Sequence, residues 1–410
     1  MSDESHRPVF NDLMRKVEAL VDSIESGPEA RSILDIASQA VEQFGAELGL
    51  TGGRIYTRAG SDYVLTDSFP ERSPEPTEVV IPDSYPPIEI LLQRRFVFME
   101  PGDPSLDPAI EEAIGASAFA AIWVRSEVCD CILAFDVAPD SVSDDIRYSL
   151  SILRYSINHR LREAWLGGVF REAGLIQASI LPRRAPVYGD FDLAGRNVQA
   201  EFVGGDFYDF IPISPKTLGL AIADVSGHGL PAALQTRDIY MGLRMGLSRD
   251  LKITRTVERL NRIVSRSTLT SRFVSMFYGE LELNGNFVYV NAGHPAPFHL
   301  DAQGNVTPLA LGGAVLGPLP DTTYERGFVR LVPGDSLILF TDGIVETEGE
   351  GPAGLEEYGT KRLLEAARDC RNCTAAGMVD AIFEDVESFD ATGRPEDDRT
   401  VVVLRYPLSA

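Results

Sequence analysis

The sequence predicts an α+β protein of two domains joined by a helical connector. Three observations carry this expectation. The chain has 410 residues, more than one ordinary core needs. Its first third alternates short β-branched and aromatic runs with helix-patterned stretches, whereas from about residue 190 longer apolar strands alternate with glycine turns. Within that second part a pair of helices interrupts the strands, the pattern of sheets with helices on their outsides.

The bulk numbers bound the function. Hydrophobic content of 44% and charged content of 24% describe a soluble globular protein. A net charge of −24 argues against nucleic acid or an anionic membrane as partner, because either needs clustered Lys and Arg. No apolar run is long enough for a membrane span, and "MSDESHRPVF" lacks the basic-then-apolar pattern of a secretory signal. Four cysteines are no disulfide framework, so a reducing, cytoplasmic setting is expected. They form two close pairs, Cys129/Cys131 and Cys370/Cys373. The first sits in a strand-like run and the second in a helix-like one of another domain, so no structural zinc site is expected.

In chain order, residues 1–27 are expected to hold an N-terminal helix, with Leu13, Val17, Leu20, Val21 and Ile24 on one face of 8–26. Residues 28–143 read as a small domain. It opens with a helix carrying Ile33, Ile36, Ala40, Val41 and Phe44, followed by the strand-like runs "GRIYTR", "DYVLTDSF", "TEVVI", "RRFVFME", "AFAAIWVR" and "CDCILAFDV". Residues 144–182 are a helical connector with Ile146, Leu150, Leu153, Ile157, Leu161 and Ala164 at helical steps. The stripe slips in phase at Gly167–Gly168, resumes as Val169, Ala173, Ile176 and Ile180, and stops at Pro182. Such a stripe serves either as a coiled-coil seam between two copies of the chain or as packing on its own domain; both readings stay open. Residues 183–410 form the second domain. Its strands include "FDLAGRNV", "GGDFYDFIPI", "TLGLAIADV", "FVSMFYGELEL", "GNFVYVNAG", "PFHLDAQGNV", "DSLILFTDG" and "RTVVVLRY"; "VTPLALGG" is a weaker one. Helices fall near 230–248 and 254–267, and two more follow Asp342.

Chemistry enters with the aspartates of this second domain. Asp206 closes "EFVGGD", Asp224 closes "LGLAIAD", Asp342 closes "SLILFTD", and Asp397 precedes the last strand. Each borders a strongly apolar strand, where a carboxylate loses water and needs a positive partner. No Lys or Arg flanks Asp206, Asp224 or Asp342 in sequence. Oxygen ligands without His or Cys select hard cations, Mg²⁺ or Mn²⁺, and four carboxylates carry charge for two ions. Singly, each is as readily a turn or cap residue; the repetition within one domain favours metal. Gly227 and Gly229 let the chain turn away from Asp224, and Pro231 suits the first turn of the next helix. "SGHG" is no P-loop, because no Lys-Ser/Thr follows it.

The segments "EFVGGDFYDF", "ADVSGHGLPAAL", "NAGHPAPFHL", "LFTDGIVE" and "DDRTVVVL" occur in an order and spacing that resembles the PPM family of metal-dependent serine/threonine phosphatases, in the SpoIIE/RsbU-like branch. The resemblance covers about residues 185–408, and "EAGLIQASILPR" is similar to the regulatory helix and Leu-Pro junction preceding that branch's catalytic domain. By element order alone, residues 28–143 resemble a GAF-type sensor. The resemblance implies a β-sandwich flanked by helix pairs and two Mn²⁺ or Mg²⁺ ions. Asp206 would bind one ion and Asp224 would bridge both. The Val225 carbonyl would add a backbone ligand, and Asp342 and Asp397 would complete the second ion. Asp398 is the alternative to Asp397, and Asp209 competes with Asp206. Where eukaryotic members place a histidine after the Asp-Gly pair this chain has Ser226, so that general-acid role is not transferred. His228 is expected to stabilise its loop, and His294 to order a turn with Pro295. No arginine is identified as a phosphate grip. The implied function is a cytoplasmic serine/threonine phosphoprotein phosphatase. Its substrate would be a phosphorylated anti-sigma-factor antagonist of STAS type in a partner-switching stress pathway. An upstream regulator would act on the sensor domain or connector of a homodimer. A binding module that has lost catalysis is the alternative, against which the full carboxylate set stands.

Overall fold

A computed structural model describes residues 33–408 except 70–78, 111–117, 128, 139–140, 142, 228, 247–251, 267–272 and 352–353. The helix expected over 8–26 and His228 lie outside the described residues. The chain divides into two compact units, Met1–Gly168 and Val169–Ala410.

The first unit runs α1 (Ile33–Leu48), β1 (Leu50–Ala59), β2 (Asp62–Phe69), β3 (Val80–Pro82), α2 (Pro86–Arg94), β4 (Phe96–Met99), β5 (Ala118–Arg125), β6 (Asp130–Val137) and the start of α3 (Ser143–Ala178). Its strands form one antiparallel sheet in the order β3-β2-β1-β6-β5-β4. Side chains alternate across it. Leu133 and Phe135 of β6 meet Ile36 and Ala40 of α1 and Ile146, Leu150, Leu153 and Ile157 of α3. Ile132 and Ala134 turn to the other face, towards Ile88 and Leu91 of α2. With both faces covered, β6 is buried almost throughout, which is why it reads as a continuous apolar run.

The connector stripe therefore divides. Its first half packs on its own unit, which decides that half between the two readings left open. Helix α3 continues through Gly167–Gly168 and ends at Ala178, ahead of Pro182. Over its last turn the Ser179 amide is shared between the Leu175 and Ile176 carbonyls, the tightening common at helix ends.

The second unit continues with β7 (Asp192–Val198), β8 (Phe207–Ser214), β9 (Thr217–Val225), α4 (Leu230–Gly246), α5 (Ile253–Arg266), β10 (Val274–Glu282), β11 (Asn286–Ala292), β12 (Phe298–Leu300), β13 (Val306–Pro308), β14 (Gly312–Gly313), β15 (Gly327–Arg330), β16 (Ser336–Phe340), α6 (Asp342–Val345), β17 (Glu348–Gly351), β18 (Gly354–Glu357), α7 (Gly359–Asp369), α8 (Ala375–Phe389) and β19 (Arg399–Arg405). One sheet has the order β14-β11-β10-β9-β8 with β15 beside β11; another has β13-β12-β16-β19-β7. The two sheets share a core: Phe210, Leu220, Ile222 and Phe277 from the first meet Leu337, Leu339, Val402 and Leu404 from the second. The opposite faces are covered separately. Ile239 and Leu243 of α4 and Val257, Leu260 and Val264 of α5 lie on the first sheet. Leu363 of α7 and Met378, Ile382 and Phe383 of α8 lie on the second. Strand ends from both sheets therefore meet at one edge, carrying Asp206, Asp224, Asp342 and Asp397 with them.

Three features depart from the sequence reading. Strand β15 and the β17–β18 hairpin were not anticipated; glycine-rich "EGEG" has little strand propensity, and cross-strand pairing supplies what propensity lacks. The cysteines are not all reduced: Cys370 and Cys373 form a disulfide between α7 and α8, while Cys129 and Cys131 are free. The turn between those helices brings the two Cα atoms to 5.1 Å, within the range a disulfide spans.

Candidate metal centre

Asp224 lies next to last in β9, between β8 and β10. The β8 side approaches through two glycines. The Val225 amide donates to the Gly205 carbonyl at 3.3 Å. A Cβ on Gly205 would lie 2.7 Å from the Val225 carbonyl oxygen and 3.3 Å from Asp224 Oδ1, so only glycine allows this approach. Beyond Val225 the chain turns through positive φ at Gly227 (88°) and Gly229 (77°). Ser226 is tied down: its Oγ accepts from the Phe273 amide at 3.0 Å.

Asp206 stands immediately before β8 and is almost wholly buried. Thr341, just past β16, and Thr400, in β19, each donate a hydroxyl to its Oδ2, at 2.7 Å and 2.5 Å. Asp342 opens the one-turn helix α6 and accepts from the Gly343 amide at 3.1 Å. A Cβ on Gly343 would lie 2.2 Å from the Asp398 carbonyl, so this glycine lets α6 lie against the Asp397–Asp398 backbone.

The adjacent acids at 397 and 398 have different tasks. Asp398 accepts the Ala200 amide on Oδ1 at 2.9 Å, and the Gly205 and Asp206 amides on Oδ2 at 2.6 and 3.3 Å. Both its oxygens thus hold the 200–206 loop. Asp397 Oδ1 accepts its neighbour's amide at 2.8 Å. Asp209 is likewise set apart: Arg244 of α4 donates to both its oxygens, at 3.0 and 3.1 Å, on the face away from the second sheet.

The electrostatics bind the remaining acids into one group. Burial, followed by the charges of Asp342, Asp397, Asp398 and Glu346, pushes the Asp224 carboxyl up to about 7. Burial, with Asp224 and Asp398 next, raises Asp206 well above the ordinary range, and the two threonine hydroxyls oppose that. Glu346 is raised by burial first, then by Asp342, Glu357 and Asp397. Among the described residues no cationic side chain is a leading influence on Asp206 or Asp224. Among the described residues no three His, Cys, Asp or Glu side chains converge as a closed metal-binding cluster. The acids are electrostatic neighbours.

Glu346 was missed in the sequence. It falls four residues after Asp342 in "DGIVE", so helical spacing on α6 was the available signal. His294 differs from expectation. The turn is ordered by Asn291, whose side chain accepts from the His294 amide at 2.8 Å and donates to its carbonyl at 3.0 Å. The imidazole is buried, its Nδ1 2.9 Å from Ser275 Oγ, and Ser275 is the cross-strand partner of Asp224. Burial lowers this imidazole to about 3, partly opposed by the Phe340 carbonyl.

Residues 214–407 match the family model of stage II sporulation protein E, SpoIIE. The chain is 30% identical over 236 residues to the phosphoserine phosphatase RsbU of Bacillus subtilis, covering 57% of this chain and 68% of RsbU. It is 28% identical over 223 residues to protein IcfG of Synechocystis, covering 46% of this chain and 34% of IcfG. In structure it resembles the SiaA-PP2C domain of Pseudomonas aeruginosa, with a TM-score of 0.52 at 21% identity over 59% of this chain and 98% of that one. That last likeness supports the fold.

Proposed function

Because this chain belongs to the SpoIIE/RsbU family of PPM protein serine/threonine phosphatases, we propose that its strand-edge acids hold two Mn²⁺ or Mg²⁺ ions for phosphoserine or phosphothreonine hydrolysis. One observation carries the assignment: buried Asp206 and partly buried Asp224 stand among further carboxylates that raise both, and among the described residues no cation is a leading influence on either. All the donors are oxygens, the chemistry of a hard divalent ion. When bound, such ions polarise the phosphate and an attacking water.

The chain's own residues prepare the place. Asp224 and the Val225 carbonyl form one arm, approached closely by Gly205 and followed by the turn at Gly227. Asp206 is the second arm, oriented by Thr341 and Thr400. Asp342 and Asp397 form the third. Asp398 is reserved for holding the 200–206 backbone and yields the ligand role to Asp397. The test is phosphate release from a phosphoserine peptide with Mn²⁺, and its loss in Asp224→Asn and Asp342→Asn. Unchanged release in either variant, or none from the native chain, rejects the assignment; the latter outcome favours a non-catalytic binding module.

In this reading residues 28–143 are a GAF-like sensor, 144–182 a regulatory connector and 183–410 a phosphatase domain of β-sandwich type flanked by helix pairs. The substrate is a phosphorylated STAS-type anti-sigma-factor antagonist in a partner-switching pathway, as a family shared with a named phosphoserine phosphatase suggests. A cytoplasmic setting accords with the lack, among the described residues, of any helix long and apolar enough to cross a membrane. A homodimer is supported by exposed Tyr148, Tyr155, Val169 and Ile176 on α3, spaced in multiples of seven. An upstream regulator acts through the sensor or connector. Light scattering giving a monomer for the full chain rejects the dimer.

A further inference from the structure

The β5–β6 hairpin of the first unit carries two cysteines that the phosphatase reading does not use. Cys131, second in β6, is pinned on both sides: it pairs with Val124 of β5 and with Thr57 of β1. Cys129 stands just ahead of the strand, where its carbonyl accepts the Ser126 amide at 2.7 Å. Residues two apart in an extended chain point to one face. Here the two sulfurs lie 3.4 Å apart. Asp130 between them turns to the opposite face, where it accepts from Trp123 Nε1 at 2.8 Å and from the Tyr63 hydroxyl at 3.0 Å. Those bonds hold the backbone that carries both cysteines.

The two thiols differ in access and in protonation. Cys131 is 1% exposed, in the core that α3 closes with Ile157. Cys129 is half-buried at the border of the same core, as Leu161 of α3 is. A hydrogen bond from Cys131 lowers the Cys129 thiol, against burial and the charge of Asp130; the same bond, then burial, raises Cys131. The thiolate is the attacking form, and the accessible sulfur is the one an oxidant meets. Cys129 is thus the nucleophile and Cys131 the resolving thiol. The hairpin end is also tied to α3, since the Arg125 amide donates to Asn158 Oδ1 at 2.9 Å.

We propose that Cys129 and Cys131 are a modification site, oxidised by a hydroperoxide to an intrachain disulfide whose closure loosens the hairpin end from α3. The Cys129 thiolate attacks a peroxide oxygen, the O–O bond breaks and hydroxide leaves, giving a sulfenic acid. The Cys131 thiol then forms the S–S bond as the S–O bond breaks and water leaves. In sum, two thiols and one hydrogen peroxide give one disulfide and two waters. Two strand residues advance about 6.6 Å, near the upper end of the Cα spacings a disulfide spans. Closure draws Cys129 towards the strand and disturbs its bond to the Ser126 amide and, beside it, the Arg125–Asn158 bond. A strained disulfide is readily reduced, so a thiol reverses the change. The chemistry needs no metal ion and stands apart from the phosphatase reading.

The experiment treats full-length chain with hydrogen peroxide in a chelator, blocks remaining thiols with iodoacetamide and maps the tryptic peptides by mass. Cleavage after Arg125 and Arg147 releases 126–147, which holds both cysteines and neither Cys370 nor Cys373. Native chain is expected to yield this peptide unalkylated and lacking two hydrogens, with both thiols recovered by dithiothreitol. Cys131→Ser should stop at a sulfenic acid on Cys129 that a cyclic 1,3-dione captures. In Cys129→Ser the Cys131 thiol should oxidise at least about tenfold more slowly than Cys129 does in native chain. Amide exchange at Arg125 and Ser126 should quicken in oxidised native chain and stay unaltered in peroxide-treated Cys129→Ser. A native peptide that keeps both thiols, that carries only sulfinic or sulfonic acid, or that is joined to a second chain overturns the proposal. So does an intrachain disulfide that leaves exchange at Arg125 and Ser126 unaltered. These decisive readings come from native chain, so an unstable variant does not shield the proposal.

Discussion

The buried acids of the second unit fall into two groups that differ in what stands beside them. On the outer face of the first sheet Asp209 is gripped by Arg244, and beside Asp397 and Glu346 at the edge Asp390 pairs with Arg399 at 2.6 Å. Burial alone would raise Asp390, but hydrogen bonds from Thr392 and Arg399 and the arginine's charge bring it down to about 2. Burial and neighbouring carboxylates drive Asp206 and Asp224 upward, opposed at Asp206 by two threonine hydroxyls. An acid that the fold has already neutralised is a structural part. On the proposed reading, an acid raised by burial and by other acids is a candidate to take its counter-charge from outside the chain.

The sharpest way to break the contrast is to neutralise one acid from each group. Asp224→Asn should lower Mn²⁺-dependent phosphate release by roughly a thousandfold, equivalent to the several kcal/mol a bridging ion supplies. Asp209→Asn should leave release within about threefold while destabilising the fold by about 1–2 kcal/mol, a buried-pair effect reduced by Arg244's exposure. Activity assays beside urea unfolding measure both, and equal activity losses would erase the distinction.

A smaller effect concerns pH in metal-free protein. Asp224 titrates near 7 when folded and near 3.8 when unfolded, so between those values the folded state holds the extra proton. Its contribution to stability therefore declines as pH rises through that window. His294 acts oppositely: folded near 3 and unfolded near 6.5, it favours folding increasingly as pH rises between them. Asp224→Asn removes one of the raised acids that oppose the histidine. Its stability, measured by urea unfolding in a chelator, should rise from pH 4 to 6.5 more steeply than that of native protein, by up to about 1.4 kcal/mol per pH unit. Parallel curves would show that Asp224 is not raised by burial and its acidic neighbours.

The smallest effect on function is expected farthest along β19. Cys370–Cys373 lies near Arg405, whose guanidinium reaches the Arg371 carbonyl, at the opposite end of the strand from Arg399. Cys370→Ser should cost at most about 2 kcal/mol, given the short loop it closes, with phosphate release within twofold. A larger change in release would tie α7 and α8 to the site.

How much of this was legible follows from the same contrast. The strand-border aspartates were visible because an apolar run ending in a carboxylate is uncommon without a reason, and the two units followed from the change in texture. Asp397 and Asp398 could not be told apart, since neighbours entering a strand point to opposite sides and only pairing fixes which side holds the loop. Asp209 looked like a rival ligand because Arg244 is distant in sequence. Glu346 lies just past a one-turn helix, where its spacing from Asp342 was the sole cue, and the seam on α3 needed the first unit's core to show which stripe is already used.

The central claim is that the edge acids hold two divalent ions. Isothermal titration of metal-free full-length chain with Mn²⁺, beside Asp224→Asn, tests it most directly. The account predicts two ions per native chain and loss of both high-affinity events in the variant; equal binding by the two proteins, or no binding by native chain, would contradict it.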